Sequence, residues 1–428
     1  MNRRDFIELA SVAALASIDY AHADVRSQTT GPVPKRSQAM HEPATAQGIP
    51  DYFTRDRLAS ILDISSRVED IRFETVAYNF PNYHPSHAQE RFFGKDWTEW
   101  QILARTKPYF KGQLQPKYPF WGDYNEAEPE WAEREIEAAS QHGIDTFMID
   151  WYWYSGTQLL QEQLEDGFLK AGNRDKMKFA IMWANLDWRN QYPAPDSAGN
   201  DYNKCPVLYE QTYSDRDMDN VVEYWIEHYF HQPNYWKISG IPVIGIFDVE
   251  HMLKAFGPDK LRKTLDGMRN RAAKAGTGGI HMQASHVYTP GKTPLKECGF
   301  DSATKYHTAG GAPGEQTEFV DAAVKTIELW KSACVKIDLP YFPDCPVGWD
   351  NSSRYGEAAH VWTHRTPDQY EVLLLGAKHF LAKQGTKPAI VYLSSWNEWT
   401  EDHILAPDNY YGYGYLEAVR HQFPRLTR

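Results

Sequence analysis

Along most of the chain, short apolar runs alternate with longer segments in which apolar residues recur every three or four positions. The runs at residues 72–80, 144–151, 178–183, 242–247, 280–284 and 389–393 are rich in β-branched and aromatic side chains, which predicts strands buried on both faces of a parallel sheet. Less regular strand candidates stand at 300–305 and 336–341. Helical periodicity predicts helices at 129–142 (ended by Gly143), 159–171, 218–230, 260–275, 315–332 and 368–383. About eight strands alternating with helices make a series of βαβ units. No G-x-G-x-x-G or Walker loop follows the first strand, so the pattern favours a closed barrel over an open doubly wound sheet. The expected fold is α/β, a single (β/α)8 TIM-barrel catalytic domain over residues 54–428.

The first residues follow a different pattern. Asn2-Arg3-Arg4-Asp5-Phe6 opens the chain, a short apolar stretch runs on to Ile18, and Ala21-His22-Ala23 has the small-x-small form of a cleavage site. Residues 1–23 therefore read as a twin-arginine signal peptide handled by the Tat export machinery, giving a periplasmic or secreted protein. Residues 24–53, rich in Ser, Thr, Pro, Ala and Gln without a hydrophobic period, read as a flexible lead-in. No later apolar run approaches the roughly 18 residues of a membrane span. The net charge of −12 argues against a nucleic-acid partner, which would call for a basic stripe. Cys205, Cys298, Cys334 and Cys345 stand far apart with no C-x-x-C pair, which argues against a zinc site. No metal or cofactor is expected. Export would permit disulfides among these cysteines, and free buried thiols equally.

In a barrel the chemistry sits where strands end. After the first strand come Tyr83 and His84, with Trp100 farther on; after the second, Asp150, Trp151 and Trp153; after the third, Trp183, Asn185 and Trp188. His286 and Tyr288 follow the fifth strand, Tyr306 and His307 the sixth, and the seventh region carries Asp350, Asn351 and Arg354. The eighth ends in Trp396-Asn397-Glu398-Trp399-Thr400-Glu401. Aromatics, amides and carboxylates gathered at one face have the composition of a sugar cleft, and two carboxyls three residues apart suit one group that gives a proton and one that takes it. Ser395-Trp396-Asn397-Glu398 also fits the S-x-x-E capping box of a helix start, and Glu401 a first-turn acid. Asp150, at the end of an apolar strand, is costly there unless hydrogen-bonded or used. Glu99 is a further carboxylate, readable as a loop anchor.

Several of these segments are longer than a strand-end motif requires. Tyr78-Asn79-Phe80-Pro81-Asn82-Tyr83-His84-Pro85, Phe93-Gly94-Lys95-Asp96-Trp97-Thr98-Glu99-Trp100, the stretch from Lys107 to Pro116, Trp183-Ala184-Asn185, Trp349-Asp350-Asn351 and the paired-glutamate motif occur in the order found in WbsX-like, glycoside hydrolase family 99-like proteins. The chain resembles that family from about Thr75 to its C-terminus. The resemblance implies a (β/α)8 enzyme that cleaves α-linked glycans with retention and without a metal. It casts Glu398 as the base on the sugar's own 2-hydroxyl, which closes a 1,2-anhydro sugar, and Glu401 as the acid/base. It implies substrate contacts at Tyr83, His84, Trp100, Asp150, Trp151, Trp153, Trp183, Asn185, Trp188, Tyr306, His307, Asp350, Asn351, Arg354, Trp396, Asn397 and Trp399. WbsX-like proteins have also been labelled glycosyltransferases of polysaccharide biosynthesis, so that activity and non-catalytic carbohydrate binding stand as alternatives. The export signal argues against the transferase, whose nucleotide-sugar donor is cytoplasmic, and the retention of both glutamates argues against simple binding. The chain departs from the relatives at Leu186, where they carry Glu, and at Asp402 and Ala406, where they carry Gly and Glu.

Overall fold

The computed structural model describes residues 52–308 and 310–425. Eight parallel strands form the barrel: β1 Phe73–Asn79, β2 Thr146–Tyr154, β3 Lys178–Trp183, β4 Ile241–Ile246, β5 His281–Ala284, β6 Ser302–Ala303, β7 Asp344–Pro346 and β8 Ala389–Ser394. Their hydrogen-bonded order is β6-β5-β4-β3-β2-β1-β8-β7. The ring closes where Ala303 of β6 bridges Tyr341, just ahead of β7. There the Ala303 N–H donates to the Pro340 carbonyl at 3.0 Å, and the Phe342 N–H to the Ala303 carbonyl at 2.9 Å. The (β/α)8 expectation thus holds.

The seventh strand lies later than its apolar pattern suggests. The helical period beginning at Phe319 continues through Lys336, so residues 336–341 are a helix end and its exit, and pairing starts at Tyr341. Pro340 and Pro343 flank that point and lack N–H donors, which keeps the ladder short.

The principal outer helices are α1 Pro129–Gln141, α2 Asp215–Trp225, α3 Pro258–Lys274, α4 Phe319–Lys336, α5 Pro367–Gln384 and α6 Gly414–Gln422. Four of these starts have a local cause. Proline occupies the first turn of α1, α3 and α5, and the Ser214 hydroxyl caps α2 by accepting from the Asp217 N–H. The helix expected at 159–171 is instead a π turn, Gln163–Gly167, followed by a 3-10 turn, Phe168–Lys170. Gly167 lies so close to the Glu126 carbonyl that a Cβ would collide with it, and the distorted turn makes that approach possible.

The leader and most of the lead-in fall outside the described residues. Tyr52 and Phe53, which the boundary at residue 53 assigns to the lead-in, belong to the folded domain. The Phe53 ring is fully buried, its N–H donates to Gln369 Oε1 at 2.7 Å, and the Tyr52 hydroxyl lies 2.7 Å from Thr366 Oγ1. An isolated aromatic after a polar stretch carries no periodic signal, so only its partners on α5 reveal its place. All four cysteines are free thiols. Among the described residues no helix is long and apolar enough to cross a membrane. Truncation of Phe53 to Ala should cost about 3–5 kcal/mol, read as a lower urea midpoint at unchanged slope; an unchanged midpoint would return the residue to the lead-in.

Candidate active site

Chain direction reverses sharply beyond β8. Asn397–Glu398 pairs antiparallel with His403–Ile404, and the single 3-10 turn Trp399–Glu401 joins them. The Ser395 hydroxyl accepts from the Glu398 N–H at 3.3 Å, as a capping serine would, but no helix of useful length follows. The Glu398 side chain is therefore free of the backbone and turns toward the barrel axis. Tyr306, at the end of β6, donates to Glu398 Oε1 at 3.3 Å.

The two glutamates meet on one cation. Arg354 sits in the short helical turn Ser352–Tyr355 after β7 and is buried. Its Nη2 donates to Glu398 Oε2 at 3.2 Å and to Glu99 Oε1 at 2.7 Å, its Nη1 to Glu401 Oε1, and its Nε to Glu99 Oε1 at 3.0 Å and Thr400 Oγ1 at 2.7 Å. Glu99 also accepts from Asn82 Nδ2 at 2.5 Å. It anchors the β1 connection to the site and is fully buried behind the glutamates.

Charge is expensive in this place. Burial pushes the Glu398 carboxyl well above its ordinary value, the nearby Glu401 charge adds to that, and Arg354 opposes it. Burial also raises Glu401, with Arg354 pulling it back down. Asp150 is raised well above the usual carboxylate range by burial and then by Glu401, and its Oδ1 has no hydrogen-bond partner. His286 is held neutral, pushed well below its ordinary value by burial and by His307. Arg354 stays protonated despite its burial because three carboxylates surround it.

These groups line a cavity of about 450 Å³ at the C-terminal ends of the strands. Of the residues expected in a cleft, Asp150, Trp188, Tyr306, His307, Asn351, Arg354, Glu398 and Glu401 form its wall. The others lie behind it. Asn397 clamps the end of β8 to that of β1, accepting from the Phe80 N–H at 2.7 Å and donating to the Phe80 carbonyl at 2.9 Å. The Trp399 backbone N–H donates to the Tyr83 hydroxyl at 2.9 Å, and its indole N–H donates to the Tyr124 hydroxyl at 3.2 Å. Trp100 donates to the Tyr124 carbonyl at 2.7 Å and packs on Tyr83. His84 bridges Glu126 at 3.0 Å and Glu162 at 3.2 Å; burial works against its charge, but those carboxylates push it up to about 9. Trp396 reaches out to Glu135 of α1 at 3.0 Å.

Strand alternation explains the second cluster. On β2, Asp150 and Tyr152 face the cavity, so Trp151 and Trp153 face outward, where Trp151 packs against Trp225 and Trp153 donates to Asp217 Oδ1 at 2.9 Å. Trp183 also packs on Trp225. Asn185 joins the ends of β3 and β4 through the Asp248 backbone, at 2.8 and 2.7 Å. Asp350 binds Gln113 Nε2 at 2.7 Å and the Ser352 N–H at 3.0 Å, so it holds the turn that carries Arg354.

Tyr152, Asp187, Arg189 and Tyr192 line the cavity without having been proposed as substrate contacts, as do Asp248 and His251. Period two along β2 could have found Tyr152. Asp187, Arg189 and Tyr192 come from a long connection with no period to read, and Asp248 and His251 from the start of the helix after β4.

Residues 75–419 match the family model described as Glycosyltransferase WbsX. The uncharacterized protein WxcX from two strains of Xanthomonas campestris pv. campestris is 27% identical over 363 residues, which are 82% of this chain and 49% of the relative. The chain thus spans about half the length of the curated relatives it matches. Among solved structures, a glycoside hydrolase-like protein superposes with TM-score 0.55 at 15% identity, covering 86% of this chain and 99% of that one. The GH99 endo-alpha-mannosidase from Bacteroides thetaiotaomicron gives TM-score 0.52 at 15% identity, over 82% and 96%. At that identity the likeness is one of fold. The family match spans β1 through most of α6 and takes in every wall residue named above, and on it the chain belongs to the WbsX glycosyltransferase family.

Proposed function

We propose that the protein is a retaining glycoside hydrolase acting on an α-linked oligosaccharide or polysaccharide outside the cytoplasm. One observation carries this reading: Glu398 and Glu401 bind the two terminal nitrogens of a single buried guanidinium on a cavity wall. Neighbouring nitrogens of one planar group bring both carboxyls to a single bond, as a two-carboxylate glycosidase requires, and retention is taken from the family 99 resemblance. Tyr152, Trp188 and Tyr192 give the same wall aromatic surface for a sugar. The α linkage is taken from the Bacteroides fold relative, and the setting from the leader at residues 1–23.

The family description makes glycosyl transfer the alternative. A nucleotide-sugar donor brings a diphosphate that needs cations. Among the described wall residues the lysines and arginines are Arg189 and Arg354, and both are engaged, Arg189 by Asp187 at 2.7 Å and Arg354 by its three glutamates. This supports hydrolysis of an uncharged sugar over capture of a diphosphate.

In the proposed reaction Glu398 takes the proton of the 2-hydroxyl as that oxygen closes on the anomeric carbon, and Glu401 protonates the departing glycosidic oxygen. Water then opens the 1,2-anhydro sugar with Glu401 as base, and Glu398 returns its proton to the 2-oxygen. In the free cleft burial raises both carboxyls, and Arg354 offsets the charge of each.

Incubation with α-mannans and a panel of bacterial and algal polysaccharides should release reducing ends; product formed solely when a nucleotide sugar is supplied would overturn the hydrolase reading. Glu401→Gln should abolish turnover on natural glycans yet retain cleavage of a glycosyl fluoride, whose leaving group needs no acid, while Glu398→Gln loses both. The reverse pattern would exchange the two roles. Asp150→Asn, which alters an unpartnered group facing the substrate, should raise KM roughly tenfold with a smaller change in kcat. Because folding raises the Glu398 carboxyl above its ordinary 4.5, the wild-type protein loses stability as pH climbs from that value toward the folded one. Glu398→Gln lacks that loss, so its stability advantage in thermal unfolding should widen as pH rises above about 5, by at most about 1.4 kcal/mol per pH unit. A constant difference would show that Glu398 does not titrate there.

A further inference from the structure

The cavity wall is uneven around the barrel, and if the protein is a hydrolase as proposed above, the unevenness selects which bond a glycan can present. The excursion after β3, residues 190–206, leaves its own strand and passes over the ends of β2 and β1. Trp188, at its base, packs edge-on against Tyr152 with ring centroids 4.9 Å apart, and Tyr192 against Trp97 at 5.6 Å. It then reaches the connections after β7 and β6. The Ala194 N–H donates to the Arg354 carbonyl at 2.9 Å, the Tyr355 hydroxyl to Gln191 Oε1 at 2.9 Å, and Asn200 Nδ2 to the Gly311 carbonyl at 3.2 Å. Pro193, Asp196 and Ser197 on this excursion are exposed, whereas Gln191 and Tyr192 are buried on the cavity side. It is a wall one chain thick, tied at both ends.

The opposite side is built differently. The β4 connection turns directly into a helix, Val249–Phe256, and Tyr288 beyond β5 stands on the cavity wall with 48% of its surface exposed. The reacting groups lie toward the closed side: the Arg354 backbone is one of the wall's ties, and its guanidinium sits 5.5 Å from the centre of the Tyr192 ring. A sugar seated against Glu398 and Glu401 has the excursion at its back and open space ahead.

We infer that the cavity is a blind pocket for the terminal, non-reducing sugar of a glycan, with residues 190–206 as its end wall and Tyr288 as a platform for the sugar on the leaving side. The glycosidic C–O bond breaks, the anomeric carbon gains the hydroxyl of water, and the departing oxygen gains a proton, so the chain shortens by one unit per turnover. This differs from the endo action named for the Bacteroides structure.

Sizing the products from whichever panel polysaccharide releases reducing ends tests the inference. Single sugars should appear from the first turnover while the mean polymer length barely falls. A ladder of oligosaccharides with an early drop in polymer length would overturn the blind pocket and leave the hydrolase standing; no release from any glycan would overturn the hydrolase and the pocket with it. Replacing residues 193–203 with a short Gly-Ser link should shift the products toward longer oligosaccharides. Should that variant fail to fold, Tyr288→Ala gives a second reading: KM for the polymer should rise roughly tenfold, a larger loss than on the glycosyl fluoride, which carries no leaving-side sugar. Equal effects on both substrates would remove Tyr288 from the leaving side.

Discussion

Arg354 binds Glu99, Glu398 and Glu401 through one planar fork, and much of the surrounding structure exists to keep that fork in place. A buried cluster with one cation and three carboxylates is tolerable only if every remaining lone pair finds a partner or a proton, because removing one member of such a set typically costs about 3–5 kcal/mol. Asn82, Thr400 and Tyr306 supply the extra hydrogen bonds, and Asp350 holds the turn on which Arg354 rides. The ends of β1, β6, β7 and β8 are drawn together by these contacts, and that convergence defines the cavity floor.

The same crowding sets the chemistry. Four acids, with Asp150 the fourth, outnumber the cation, so burial and mutual repulsion keep protons on some of them in the free protein. A carboxyl raised by burial can give a proton, and one whose charge a guanidinium offsets can take one. The site therefore stores both capacities in adjacent residues. Asp150, with no partner of its own, is the group most clearly waiting for a hydroxyl.

The departures from the relatives also find physical reasons. Asp402 occupies a left-handed conformation, φ 52°, which is the kind of position where glycine is the usual choice. Its carboxylate meets Lys117 at 3.1 Å and also Arg365, and these two buried cations favour an acid over glycine there. Leu186, in place of a glutamate, lies on the cavity wall and removes a charge from it. The change at Asp402 is thus a matter of scaffold, while the change at Leu186 touches the substrate's surroundings.

The sequence by itself determined the barrel and its chemical end, because a buried strand must be apolar along its length and a strand end must release the chain into loops. It also placed Glu398, Glu401, Arg354, Asp150 and Tyr306 in one site, since each lies at or beyond the C-terminal end of a strand. It could not assign sides. Trp151, Trp153, Trp183 and Trp396 are as aromatic as any sugar platform, yet they pack against outer helices, because an indole satisfies a helix interface and a sugar ring equally well. Only tertiary structure decided that Arg354 grips the acids, that Tyr83, Trp100 and Trp399 brace them from behind, and that the excursion after β3 walls one side of the cavity. Those outcomes depend on contacts between residues 44 to 316 positions apart, and no local periodicity encodes them.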